Sequence, residues 1–161
     1  MLRRRAFAAA VGVAAVLAMA CSSGGDGRPA GTAAPDAAGE DLTRSAEAGG
    51  VTVEATWLTE ATAEAVDADL TAYPSDEYVL IELKLDTHSG DLNAIDLERE
   101  AALTQDGTTL EPETWLSLSD DSHHREGVLV FPRSFKKGEV ELTVPSKDED
   151  VGLLWEAAPT T

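Results

Sequence analysis

Short segments in which apolar and polar residues alternate, an Asp-Gly pair between two of them, and the lack of a wide helical stripe predict an all-β domain. Six or seven such strands between Gly49 and Ala158, each bounded by turn residues, suit two antiparallel sheets packed face to face. The expected architecture is an immunoglobulin-like antiparallel β-sandwich, preceded by a signal peptide and a disordered linker.

In "VTVEATW", Val51, Val53, Ala55 and Trp57 share one face, and Thr52, Glu54 and Thr56 the other. A period of two marks a strand with one face buried. The segment 59–76, "TEATAEAVDADLTAYPSD", has no wide apolar stripe, so a helical turn is all it predicts. "YVLIELKLD" resumes the alternation with Val79, Ile81, Leu83 and Leu85 inward and Glu82, Lys84 and Asp86 outward. "AALTQDGTTL" places Asp106-Gly107 between two short strands, a pairing that tolerates the positive φ angles of a two-residue hairpin turn. "GVLVFP", "VELTV" and "VGLLWE" complete the set, the last two separated by "PSKDED". Trp57, Trp115 and Trp155 all fall in or beside strands, where core packing is the natural role of an indole. The Cys-Trp-Cys mark of antibody domains is missing, because Cys21 is the only cysteine.

The N-terminus, "MLRRRAFAAAVGVAAVLAMAC", has three arginines, an uncharged run and then a cysteine after small residues, the plan of an export signal. Ala6 to Ala20 falls short of the about 20 apolar residues that span a bilayer. The sequence therefore divides into a lipoprotein signal peptide at 1–20, a lipid-anchored flexible linker at 21–48 and the sandwich at 49–158. "LAMAC" resembles the lipobox of bacterial lipoproteins, although Leu17 stands one place earlier than the usual leucine; the resemblance implies that Cys21 carries the lipid. "RRRAF" also resembles a twin-arginine export signal, with Arg4, Arg5 and Phe7 in the matching places. The linker, "SSGGDGRPAGTAAPDAAGEDLTRSAEA", holds too little apolar surface to offset the entropy of ordering it. As a flexible coil it would reach roughly 30 Å.

Removal of the signal peptide takes away three arginines and no acid, so Lys plus Arg falls from 12 to 9 against 30 Asp plus Glu, and the net charge moves from -18 to -21. Such a surface repels nucleic acid and anionic headgroups and favours cations or basic partners. Enzyme signatures are lacking. No G-x-S-x-G elbow accompanies Ser89 or Ser122, no glycine-rich phosphate loop occurs, and carboxylate pairs are what this many acids produce by chance. "FPRSFKKGEV" gathers Arg133, Lys136 and Lys137 beside Phe131 and Phe135; it suits a hairpin turn or an interaction patch for an acidic partner.

All three histidines lie in two polar loops, "DTHSGDL" and "DDSHHREG". Antiparallel strands alternate in direction, so the loops at 86–99, 116–127 and 145–150 are expected at one end of the sandwich. With Val51–Trp57 as the first strand, the linker enters at that end too. His88, His123 and His124 would then gather with Asp86, Asp91, Asp120, Asp121 and Glu126. Imidazoles among carboxylates suit Zn²⁺ or Cu²⁺, and His88, His123, His124, Asp86, Asp91 and Asp121 are the candidate ligands. The alternative is loop architecture, with the carboxylates accepting nearby backbone N–H groups and the histidines balancing local acids.

The strand ending "LDTHSGDL", Trp115, "HHREGVLVFP" and the closing "LLWE" together resemble a group of uncharacterised secreted bacterial domains, often lipoproteins. The resemblance spans most of Val51 to Glu156 and implies architecture without an activity. The sequence thus leads to a non-catalytic binding module of one monomeric domain, anchored through Cys21 to the outer face of the bacterial cell membrane. Its expected partner is another envelope protein or the cell wall. The second reading is a protein that binds or delivers Cu or Zn.

Overall fold

The computed structural model describes residues 42–134, 138–147 and 149–156. Nine strands form in this part of the chain: β1 (Thr43–Ala48), β2 (Val51–Leu58), β3 (Tyr78–Thr87), β4 (Ala102–Gln105), β5 (Thr108–Leu110), β6 (Thr114–Asp120), β7 (His124–Pro132), β8 (Val140–Val144) and β9 (Val151–Trp155). They make two antiparallel sheets, one in the order β1-β2-β3-β7-β6 and the other β5-β4-β8-β9. With β2 taken as strand A, the chain order assigns A, B, D and E to the first sheet and C, C′, F and G to the second, the immunoglobulin-like partition.

The alternation holds residue by residue. Val51, Val53, Ala55 and Trp57 of β2 and Val79, Ile81, Leu83 and Leu85 of β3 are all buried, and they meet Leu103, Leu142, Val144 and Leu153 of the other sheet in one core. Trp57 and Trp155 close it at one end, with ring centroids 5.6 Å apart and planes at 72°, the edge-to-face geometry that aligns a ring edge with a π face. The Asp106-Gly107 turn joins β4 to β5, and both residues have positive φ, 49° and 75°.

Three features depart from the expectation. The strand count rises from six or seven to nine, partly because the run after Gly107 breaks at the buried Pro112 into β5 and β6, which join different sheets. The sandwich also begins before Gly49. β1 lies in the stretch assigned to the linker, where it pairs along its whole length with β2, from Thr43 opposite Thr56 to Ala48 opposite Val51. Gly49 and Gly50 make the turn with φ of 58° and 75°, a conformation that suits residues without Cβ. This extra strand reverses the entry point: Leu42 sits beside the end of β2 and β9, where its carbonyl accepts from Trp57 N at 3.0 Å and Trp155 Nε1 at 3.1 Å. The described chain therefore starts at the end opposite the histidine loops.

The third departure concerns 59–77. The predicted helical turn exists as α1 (Glu60–Ala63), with Thr59 capping Thr62 N. The rest of the segment lies over the outer face of the first sheet, where Val66, Leu70 and Tyr73 join Tyr78 of β3 in packing on Leu58, Leu80, Val128 and Val130. That cover explains the apolar residues on both faces of β3 and β7. Beyond it the same outer face turns polar, with Lys84 3.4 Å from Glu126 and 4.0 Å from Glu82.

Candidate functional site

The loops that carry the histidines do share one end, and they are joined mainly through backbone. Thr87 N donates to His123 O at 3.0 Å, Leu92 N to Ser122 O at 2.9 Å, and Asn93 Nδ2 to Asp120 O at 2.9 Å. Between β3 and β4 the chain makes a short 3₁₀ turn, Leu92–Ala94, and then α2 (Leu97–Glu100), with Leu92 and Leu97 plugged into the core.

Two side chains that point inward by strand phase hold these loops. Thr87 continues the inward series of β3 and is 6% exposed; its Oγ1 lies 3.0 Å from Gly50 O and 2.9 Å from Ser89 O, and it accepts from Ser89 N at 3.3 Å. One hydroxyl thus links the β1–β2 turn to the first histidine loop. Arg125 shares the inward phase of Leu129 and Phe131 on β7. Its Nη1 donates to Leu92 O at 3.1 Å and Ile95 O at 2.7 Å, while the guanidinium lies 5.3 Å from the centroid of Trp115. Trp115 in turn packs on Gly127, where an added Cβ would come within 2.5 Å of Trp115 Cζ2. Trp115 Nε1 and Arg125 Nε are buried without a hydrogen-bond partner among the described residues.

The six candidate metal ligands come to one end without forming one set. His124 Nδ1 pairs with Asp86 Oδ1, directly across the β3–β7 ladder. Asp121 Oδ1 accepts from the backbone of His123 at 2.8 Å and of His124 at 3.3 Å, and the N–H of His123 above all holds this carboxyl below its ordinary pKa. Asp91 Oδ1 caps the 3₁₀ turn at Asn93 N, 2.9 Å away. His88 and His123 are exposed. Among the described residues no three His, Cys, Asp or Glu side chains stand close enough to hold a metal ion. Side chains of adjacent strand and loop residues diverge, and backbone capping turns the aspartates toward their own loops.

What the β3–β4 connection does enclose, with the start of β2 and the loop at 145–150, is a cleft of about 450 Å³. Its floor is apolar, from Val51, Leu92, Ala94 and Ile95, and its polar wall comes from Thr87, Ser89, Asp91, Glu100, Ser146 and Lys147. Asp91 thus belongs to the cleft, while the other five candidate ligands are not part of its lining. The cleft-lining Thr87, Glu100 and Lys147 carried no motif. For Thr87 the signal was available, as a hydroxyl in the inward phase of an otherwise aliphatic strand.

No protein-family model, curated protein or solved structure matches the chain. Among the described residues no helix is long and apolar enough to cross a membrane. Cys21 and the expected signal peptide at 1–20 lie outside the described residues, as do Lys136 and Lys137 of the basic patch. Arg133 is half-buried at the opposite end from the cleft. Its backbone N donates to Glu77 O at 2.9 Å, its Nε lies 3.4 Å from Tyr78 O, and burial pulls its pKa down.

Proposed function

We propose that the chain is an extracytoplasmic lipoprotein whose sandwich is a non-catalytic binding module, taking its ligand or partner at the loop end. The observation that carries this reading is the position of the cleft at the end opposite Leu42. A tether from a lipidated Cys21 would join the described domain at Leu42, so that its attachment point does not obstruct the cleft at the other end. Acidic surface charge fits the same reading, because it keeps the domain off anionic headgroups. The apolar floor with a few polar groups above it is the common make-up of a small-ligand site.

Photo-crosslinking in the intact envelope tests this. A photoreactive residue at Ser89 or Ser146, on the cleft rim, is expected to give defined adducts, whereas one at Thr109, near the opposite end, gives none. Equal labelling from rim and control positions would overturn the reading. Cys21→Ala is expected to release the chain from the membrane fraction; retention of this variant would remove the lipid anchor from the proposal.

A further inference from the structure

Lys147 and the two carboxylates of the cleft share one cavity without pairing. Asp91 and Glu100 line it together with Lys147. Among the described residues no carboxylate oxygen stands within the 4.0 Å that would make an ion pair with Lys147 Nζ. The lysine is laid against Gly90, a residue of φ 96°, where an added Cβ would stand 3.3 Å from Nζ. Asp91 uses one oxygen for Asn93 N, and Glu100 makes no side-chain hydrogen bond among the described residues.

We infer that the cleft binds a small zwitterion, an amino acid or peptide of two or three residues, with its carboxylate on Lys147, its ammonium between Glu100 and Asp91, and a small aliphatic side chain on Val51, Leu92 and Ile95. This deepens, and rests on, the binding-module reading. A simple anion would meet Lys147 but face two carboxylates, and a simple cation would face the ammonium. A ligand carrying both charges gives Lys147 and the two carboxylates each a complement, which fixes its orientation. The apolar floor adds the contact that charge in a solvated cleft does not supply. The volume lies in the range of small-ligand pockets and suits a dipeptide better than a folded element of a partner protein.

Isothermal titration of the purified full chain with alanyl-alanine tests the assignment, beside its N-acetyl and C-amide forms and the variants Glu100→Gln and Lys147→Ala. The free dipeptide is expected to bind one to one, and each blocking group to weaken it by about tenfold, the worth of roughly 1.4 kcal/mol. Each loss should be reduced in one variant only: N-acetylation costs less in Glu100→Gln, where Asp91 alone remains, and amidation costs nothing further in Lys147→Ala. Equal binding of free and blocked dipeptides, or the same losses in both variants, would overturn the zwitterion. Absence of dipeptide binding while Ser89 and Ser146 still crosslink in the envelope would sink the ligand class and leave the module standing. Silence in both experiments would sink both.

Discussion

The two ends of the sandwich are built on different principles. At the closed end aromatic packing does the joining: Trp57 meets Trp155, Trp155 donates to Leu42 O, and the 59–77 segment seals the outer face by setting Tyr73 edge to face on Tyr78 of β3, ring centroids 5.3 Å apart. At the open end few large side chains cross between loops. The links there are backbone hydrogen bonds and the single polar side chains of Thr87, Asn93 and Arg125, each bonded to a carbonyl of another segment. An indole removed from a packed end leaves a cavity that the whole domain feels, while a hydroxyl removed from a loop frees that loop alone. A cleft can sit at one end of so small a domain when the apolar packing that resists unfolding is gathered at the other.

The largest expected effect is at the closed end. Trp155→Ala should destabilise the whole fold by about 3–5 kcal/mol in denaturant unfolding, because it empties a core position and removes the partner of Trp57. A loss below 1 kcal/mol would erase the distinction between the ends. Next comes Thr87→Val, which keeps shape and deletes the hydroxyl shared by Gly50 and Ser89. A cost of about 1–3 kcal/mol is expected, with amide exchange quickened around 88–94 and unchanged near Trp57. Exchange that quickened evenly along the chain would show that the open end has no independence.

Glu82 stands at the border, where the apolar half of the outer face gives way to the polar half. Burial raises its pKa above the ordinary glutamate value, opposed by Lys84 and reinforced by Glu126. The native state then holds this proton at a pH where the unfolded chain has lost it, so stability falls as pH rises through that window. Glu82→Gln removes the fall. Because the burial is partial and Lys84 opposes it, the gain at pH 7 should stay under about 0.5 kcal/mol and vanish below the unfolded pKa. A variant less stable than the parent at pH 7 would instead make the Lys84 contact the dominant one.

The smallest effect belongs to Asp121. Its pKa is lowered by the N–H groups it accepts, so its contribution is present above the unfolded carboxyl value and lost as pH falls through the depressed one. Asp121→Ala should loosen 121–124 at neutral pH, read as faster exchange of the His123 amide, and make no difference once the parent carboxyl is protonated. Exchange unchanged at neutral pH would mean that the backbone bonds to the neighbouring loop hold this turn unaided.

Periodicity carried much of the fold, because a period of two is a local property that packing preserves. Val51 to Trp57 and Val79 to Leu85 went inward as their alternation required, and Asp106-Gly107 turned where positive φ was affordable. Strand parity brought the right three loops to one end. It failed for the linker, since "TRSAEA" has too little apolar surface to read as a strand and becomes one only when β2 offers its edge. The candidate site was legible as a place and not as a set of ligands. Sequence put His88, His123 and His124 near one another; where each ring points depends on the ladder that sets Asp86 against His124 and on the caps that Asp91 and Asp121 make.

By itself, then, the sequence determined the inward residues, the hairpin and the shared end of the three loops, all consequences of side-chain alternation along a strand. Tertiary structure alone decided that β1 joins the sheet, that 59–77 covers an apolar outer face, and that Thr87, Glu100 and Lys147 face one cleft. Those outcomes depend on which surfaces meet across the fold, and burial between segments far apart in the chain leaves no period in either one to read.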